Sequence, residues 1–238
     1  VYWIMQCKNN VNRGVFLKNT GCGLCNRKCR VDRDNGEKGF CGETSEIRCG
    51  RAALHMWEEP CISGTRGSGT VFFTGCVLKC VFCQNSVLAE SKVGKPVTVS
   101  RLAEIFLELQ NKGAHNINLV TPTHFVPSIR ESIILAKKNG LTLPIVYNTG
   151  SYESVETIKS LEGLVDIYLP DLKYVSSELS KKYSKAPDYF ETAKKAIGEM
   201  VRQAGTPEFD DDGIMKKGVI VRHLLLPGCI TDSKNVIK

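Results

Sequence analysis

The sequence predicts an α/β fold built on a parallel sheet, and three observations predict it. From about residue 69 onward, short runs rich in β-branched residues alternate with stretches of helical period. The strand–helix unit repeats, which implies parallel strands joined by right-handed crossovers, hence a doubly wound sheet or a barrel. Residues 1–60 lack that pattern and hold six of the eleven cysteines. In a chain long enough to bury a core without disulfides, such clustering points to metal.

The elements follow in order. Strands are predicted at Val71–Thr74, Ile117–Thr121, Pro144–Asn148, Val165–Leu169 and Gly218–His223, each short and bounded by polar, Gly or Pro positions. Helices are predicted near 99–112, 127–139, 152–162 and 187–205. Ser100 caps the first, Pro127 opens the second and Gly140 ends it. The acidic stretch "EFDDDG" at 208–213 reads as an exposed loop. Two units result: a metal-binding, cysteine-rich segment over 1–60 and a barrel-type unit over 61–238. The chain opens on Val1 and stops in the helix-like "TDSKNVIK", the pattern of a fragment.

Composition narrows the class. With 42% hydrophobic and 24% charged residues the chain has ordinary globular make-up. No apolar run approaches the roughly 20 residues that span a bilayer, and no signal segment opens the chain. The expectation is a cytoplasmic protein without a membrane partner. The net charge of +7 is spread out, and doublets such as Lys181–Lys182 and Lys194–Lys195 read as solvated helix faces. No basic stripe marks a nucleic-acid partner.

The chemistry gathers in "TGCVLKCVFCQN", residues 74–85. Cys76, Cys80 and Cys83 directly follow the first barrel-type strand, at the end where parallel α/β folds place their chemistry. Three thiolates can ligate an iron–sulfur cube and leave one iron open. A zinc site completed by a distant His or Cys, or buried structural thiols, fits the spacing as well. Upstream, Cys22, Cys25, Cys29 and Cys41 form C-x2-C-x3-C-x11-C, which suits structural zinc or an auxiliary iron–sulfur cluster equally. Cys49 and Cys61 are substitutes for these or buried thiols, and Cys7 and Cys229 read as structural.

"CVLKCVFC" matches C-x3-C-x-aromatic-C, and the blocks "CGLCNRKCRVDRDNGEKGFC", "GSGTVFFTGCVLKCVFCQN", "NLVTPTHFVPSI", "PIVYNTGSYESV", "VDIYLPDLKY" and "VIVRHLLLPG" follow in one order. Over residues 20–238 the chain thereby resembles the radical S-adenosylmethionine superfamily, in its pyruvate formate-lyase activating enzyme-like subgroup. The resemblance implies a partial, open (β/α)6-type TIM barrel with five strands present. It implies a 4Fe–4S cluster on Cys76, Cys80 and Cys83, with S-adenosylmethionine on the open iron. Reductive cleavage then gives a 5′-deoxyadenosyl radical that abstracts a substrate hydrogen. Phe82 resembles the aromatic beside the adenine. Relatives carry Gly-Gly-Glu where this chain has Val120–Thr123, so Thr121, Thr123 and the Pro122 backbone stand in for that cofactor contact. The resemblance also places Asp171 and Lys173 near cofactor and substrate.

Asn148 and Thr149 end the third strand, and Arg222 and His223 lie on the fifth, where they could face inward. The subgroup implies a reductant such as flavodoxin or ferredoxin, anaerobic chemistry of oxidoreductase or lyase type, and a glycyl-radical enzyme as protein substrate. A small-molecule substrate is the alternative within this chemistry. A non-catalytic iron–sulfur or zinc protein is the alternative outside it.

Overall fold

A computed structural model describes residues 21–238; Cys7 lies outside them. The elements are β1 (Arg48–His55), α1 (Pro60–Ser63), β2 (Ser68–Phe73), α2 (Ser86–Ala89), β3 (Lys95–Pro96), α3 (Val99–Asn111), β4 (Ile117–Val120), a 3-10 turn (Thr123–Phe125), α4 (Val126–Lys138), β5 (Ile145–Thr149), α5 (Val155–Lys159), β6 (Ile167–Pro170), α6 (Ser177–Ser184), α7 (Tyr189–Ala204), β7 (Glu208–Phe209), β8 (Met215–Val219) and α8 (Ile230–Ile237). The strands form one sheet in the order β3-β1-β2-β4-β5-β6-β8-β7, with β3 and β7 at its edges.

The five expected strands are the parallel centre, β2-β4-β5-β6-β8, with bounds moved by a few residues. Period-two alternation splits their side chains between two cores. Val71, Phe73, Ile117, Leu119, Ile145, Tyr147 and Tyr168 pack outward with Leu102, Phe106 and Leu109 of α3, Ile129 and Ile133 of α4, and Met200 of α7. Val146, Ile167, Leu169 and Met215 point inward and close on Ile62 of α1. Burying one such Leu, Ile or Phe is worth about 1.5–3 kcal/mol, so this double burial fixes the strand register. Ile62 thus fills the interior between β5, β6 and β8.

The helices follow from local chemistry with three adjustments. Thr98, not Ser100, caps α3 by accepting from the Arg101 amide. Pro127 sits in the first turn of α4, and Gly140 at φ +101° ends it, as expected. The helix expected over 152–162 shrinks to α5, because Ser154 is its cap and Gly163 turns the chain at φ +75°. The sequence reading did not foresee α6, which is short and polar.

Two further differences concern the sheet. β1 lies within the segment read as cysteine-rich, yet it pairs antiparallel with β2 from Cys49–Phe73 to His55–Ser68. The boundary at residue 60 therefore falls between two strands of one sheet. Its sequence, RCGRAALH, mixes polar residues on both faces, so pairing rather than pattern makes it a strand. The acidic stretch at 208–213 is partly β7, and Asp210 accepts from the Asp212 and Ile214 amides to turn it back into β8.

Candidate active site

β2 ends at Phe73, and the chain turns at once into the three-cysteine loop. Gly75 makes the turn at φ +77°, where a Cβ would come 2.6 Å from Glu43 Cγ and 2.8 Å from the Cys41 carbonyl oxygen. Only glycine fits such a place without displacing its neighbours. Backbone amides then moor the loop: Gly75 to Leu88 O at 2.8 Å and Cys76 to Cys41 O at 3.2 Å. Cys76, Cys80 and Cys83 are all partly buried and not disulfide-bonded. Burial pushes the Cys80 thiol up despite Lys173 and the Ser184 hydroxyl, and burial likewise raises Cys83. These thiols resist ionising without added positive charge, the condition a ligated metal supplies. Cys80 Sγ lies 2.9 Å from Ser184 Oγ, and the Phe82 ring meets Tyr174 edge-on at 6.5 Å.

Beside the loop stands an ion network from three strand ends. Lys173 Nζ donates to Asp171 Oδ2 at 2.5 Å, and Arg222 Nε donates to Asp171 Oδ1 at 3.1 Å. Burial opposes the Lys173 charge, but Asp171 and then Cys80 outweigh it and hold the ammonium above its ordinary value. Arg222 Nη2 donates to Asn148 Oδ1 at 2.5 Å, and Nη1 faces Glu58 and Glu59 at 3.5 Å each. Asn148, Asp171, Lys173 and Arg222 thus meet as the sequence placed them. Glu58 and Glu59 it missed: nothing in two acids before a proline marks them for this site, and only the tertiary fold brings them to Arg222.

The remaining polar residues separate. The Thr123 hydroxyl donates to Glu153 Oε1 at 2.6 Å, Thr149 donates to the same oxygen, and all three side chains are buried. The structure therefore brings Thr123 and Thr149 to Glu153 rather than to Asp171 and Lys173. Glu153 is a second residue the sequence reading missed. Burial lifts its carboxyl above the usual range, against the pull of the two hydroxyls. Thr121 turns the chain after β4 at φ +57° and donates its amide to Asn148 O at 2.9 Å. His223 does not enter the network: its Nδ1 lies 2.8 Å from Leu172 O and its Nε2 2.8 Å from Ser233 Oγ, a structural role.

The four amino-terminal cysteines lie against the same face. Cys25 forms a backbone bridge to Glu153, and Arg27 stacks on Phe40 and Tyr152 while donating to Val77 O. Burial, helped by the neighbouring Cys22, Cys29 and Cys41, pushes the Cys25 thiol up to about 12. Cys22, Cys29 and Cys41 thus all lie near Cys25. Cys49 packs against the outer core and Cys61 against the inner one, each only partly buried. Cys229 is buried at the start of α8. Among the described residues no group of three His, Cys, Asp or Glu side chains is drawn together as a metal site, so the arrangement supports zinc at these cysteines no more than it supports a second cluster.

Residues 70–228 match the family described as the Radical SAM superfamily. The chain belongs to the radical SAM superfamily. This is an enzyme superfamily whose members generally bind a 4Fe–4S cluster and S-adenosylmethionine. The matched span runs from β2 past β8 and contains the three-cysteine loop together with Asn148, Asp171, Lys173 and Arg222. The chain is also similar to an uncharacterized protein of Methanocaldococcus jannaschii, at 30% identity over 241 residues and 96% of this chain. It spans 64% of that relative's length. The donor types are those the superfamily's cluster takes, three thiols on one loop with a lysine ammonium beside them, although the thiols are not drawn together as a metal site. Among the described residues no helix is long and apolar enough to cross a membrane.

Proposed function

We propose that this radical SAM protein uses Cys76, Cys80 and Cys83 to hold a 4Fe–4S cluster and binds S-adenosylmethionine above β4, β5 and β6. The observation that carries the reading is the meeting of that loop with the Asp171–Lys173 pair, since Lys173 is the charge that acts on Cys80. When bound, the cluster supplies one electron to cleave S-adenosylmethionine to methionine and a 5′-deoxyadenosyl radical that abstracts a substrate hydrogen.

The chain's own residues then have distinct tasks. Asp171, Lys173 and Asn148 offer charged and polar contacts to the cofactor, and Arg222 holds Asp171 and Asn148 in place. The Thr121 backbone and the Phe82 ring would offer the cofactor further contacts. Thr123 acts indirectly, through Glu153 and the turn it fixes. Leu78, buried 2.7 Å from where a Gly150 Cβ would stand, helps keep water from the loop's underside.

The finer reading places the protein in the pyruvate formate-lyase activating enzyme-like subgroup, with electrons from a flavodoxin or ferredoxin and a glycyl-radical enzyme as protein substrate. The ordered sequence blocks support the subgroup. Cys22, Cys25, Cys29 and Cys41 are proposed ligands of an auxiliary iron–sulfur cluster, supported by the nearness of the other three to Cys25 and by the Cys76–Cys41 hydrogen bond.

Anaerobic reconstitution with iron and sulfide, followed by dithionite and S-adenosylmethionine, tests the reading. It should yield methionine and 5′-deoxyadenosine. A protein that fills the three-cysteine loop with zinc and yields neither product would sink it.

A further inference from the structure

The floor of the mouth holds more acid than it neutralises. Glu58 and Glu59 lie on the turn that leads into α1, and both face the Arg222 guanidinium at 3.5 Å. That guanidinium also serves Asp171 and Asn148, and Lys173 is committed to Asp171. One guanidinium is thus shared by three carboxylates, Glu58 having besides it the Asn148 amide at 3.4 Å and the His55 ring at 3.9 Å; burial pushes the Glu58 carboxyl up although Arg222 and His55 oppose the shift.

A second observation is independent of this charge count. Asn118 lies on β4 between Ile117 and Leu119, which pack outward, so its amide points into the interior. It is wholly buried; its Oδ1 has no hydrogen-bond partner, and its Nδ2 makes only a long, weak contact with the Glu58 carboxylate, whose ionised form it favours. Glu59 Oε2 is likewise buried without a partner. Buried polar atoms in folded proteins are normally paired, so an under-paired set beside partly exposed charged side chains points to a ligand. Access exists: the side chains of Glu59 and Arg222 remain 26% and 27% exposed.

We propose that this floor recognises a positively charged group, a protonated amine or a guanidinium, on the molecule whose hydrogen is abstracted. Glu59 is the first acceptor, and Glu58 and the Asn118 carbonyl complete the set. An anion is disfavoured because the Arg222 donors already face four acceptors and any anion would meet the carboxylates behind them. The proposal rests on the mouth being the reaction chamber proposed above.

The test compares n-butylammonium with n-butanol and butyrate, which differ in charge at equal chain length, by calorimetric titration of the anaerobically reconstituted protein. The amine should bind at least about tenfold more tightly than either, a modest fraction of what opposed charges yield at a partly buried site. Glu59→Gln should remove most of that preference, and Asn118→Leu, which replaces the under-paired amide with an apolar side chain of similar size, should weaken the amine about threefold. Should Glu59→Gln fail to fold, the Asn118 variant and the weakening of the amine by added salt decide. Butanol or butyrate matching the amine, no binding by any probe, or a preference that survives both substitutions overturns the proposal. An acetylated Gly-Lys-Gly amide binding more tightly than butylammonium would assign the cation to a polypeptide side chain, and the reverse to a small amine. Formation of 5′-deoxyadenosine by the same sample is read separately: its absence counts against the radical chemistry and leaves the charge preference standing.

Discussion

Arg222 Nε donates to Asp171 Oδ1 at 3.1 Å, and the backbones of the two residues pair as a parallel bridge beyond the ends of β6 and β8. Side chain and main chain thus agree on one geometry at the mouth. Replacing Arg222 with Leu leaves Asp171, Glu58 and Glu59 without their shared cation. Because these groups are partly exposed, the expected cost is about 1–3 kcal/mol rather than the larger penalty of a fully buried pair. The loss should shrink as pH falls, because burial raises the Glu58 carboxyl and a protonated Glu58 no longer needs the cation. Urea unfolding at neutral and acid pH measures both, and a variant as stable as wild type at neutral pH contradicts the network.

Cys83→Ala should remove the third thiolate from the loop. Iron bound after reconstitution should fall by roughly one cluster, and 5′-deoxyadenosine should drop below detection. The Cys41→Ala protein separates the two cysteine groups, since it should lose iron without losing the spectrum of the three-cysteine site. Iron analysis and electron paramagnetic resonance on both variants check this, and equal losses from both would refute two separate centres.

Gly75→Ala tests the turn that aims the loop. The added Cβ meets Glu43 Cγ and the Cys41 carbonyl well inside contact distance, at a positive φ that alanine adopts at a cost. A loss of at least about 2 kcal/mol in stability is expected, with weaker iron binding. Thermal melting and iron content report it, and an unchanged melting temperature would show that the loop yields easily.

His124 should make the fold acid-sensitive. Its Nε2 lies 2.6 Å from Thr74 O, and burial, opposed only by that carbonyl, holds its pKa near about 3. A histidine depressed this far stays neutral when folded and takes a proton when unfolded. Stability is therefore lost as pH falls below the ordinary histidine value, by up to about 1.4 kcal/mol per unit. Comparing wild type with His124→Phe between pH 7 and 4 isolates the effect, and parallel curves would exclude it.

Glu153 carries the opposite sign. Burial raises its carboxyl, so the folded state binds a proton more readily than the unfolded chain, and stability falls as pH climbs past the ordinary glutamate value. Glu153→Gln, neutral throughout, should gain on wild type across that rise while keeping its bonds from Thr123 and Thr149. Denaturant midpoints at several pH values test it, and a variant that loses ground as pH rises would show the charge to be stabilising.

What the sequence determined by itself is whatever depends on local order. Four of the five parallel strands were legible because a strand buried on both faces needs a largely apolar run, as in "INLV" and "PIVYN"; the fifth, MKKGV, was expected three residues too late because its lysines interrupt that run. The three-cysteine loop and the Asp171–Lys173 pair were legible because each lies within a few residues of a strand end, and parallel strands end on one side. Tertiary structure decided the rest. β1 became a strand only by pairing with β2, and Thr123 left the mouth only because Glu153, thirty residues away, offered a buried acceptor. Glu58 and Arg222 are 164 residues apart, and no spacing rule links them. They meet because Ile62 of α1 packs into the interior between β5, β6 and β8, which brings the acidic turn to Arg222. A charge reads from sequence only as a residue type; its neighbours, and therefore its chemistry, exist once the sheet has curled around it.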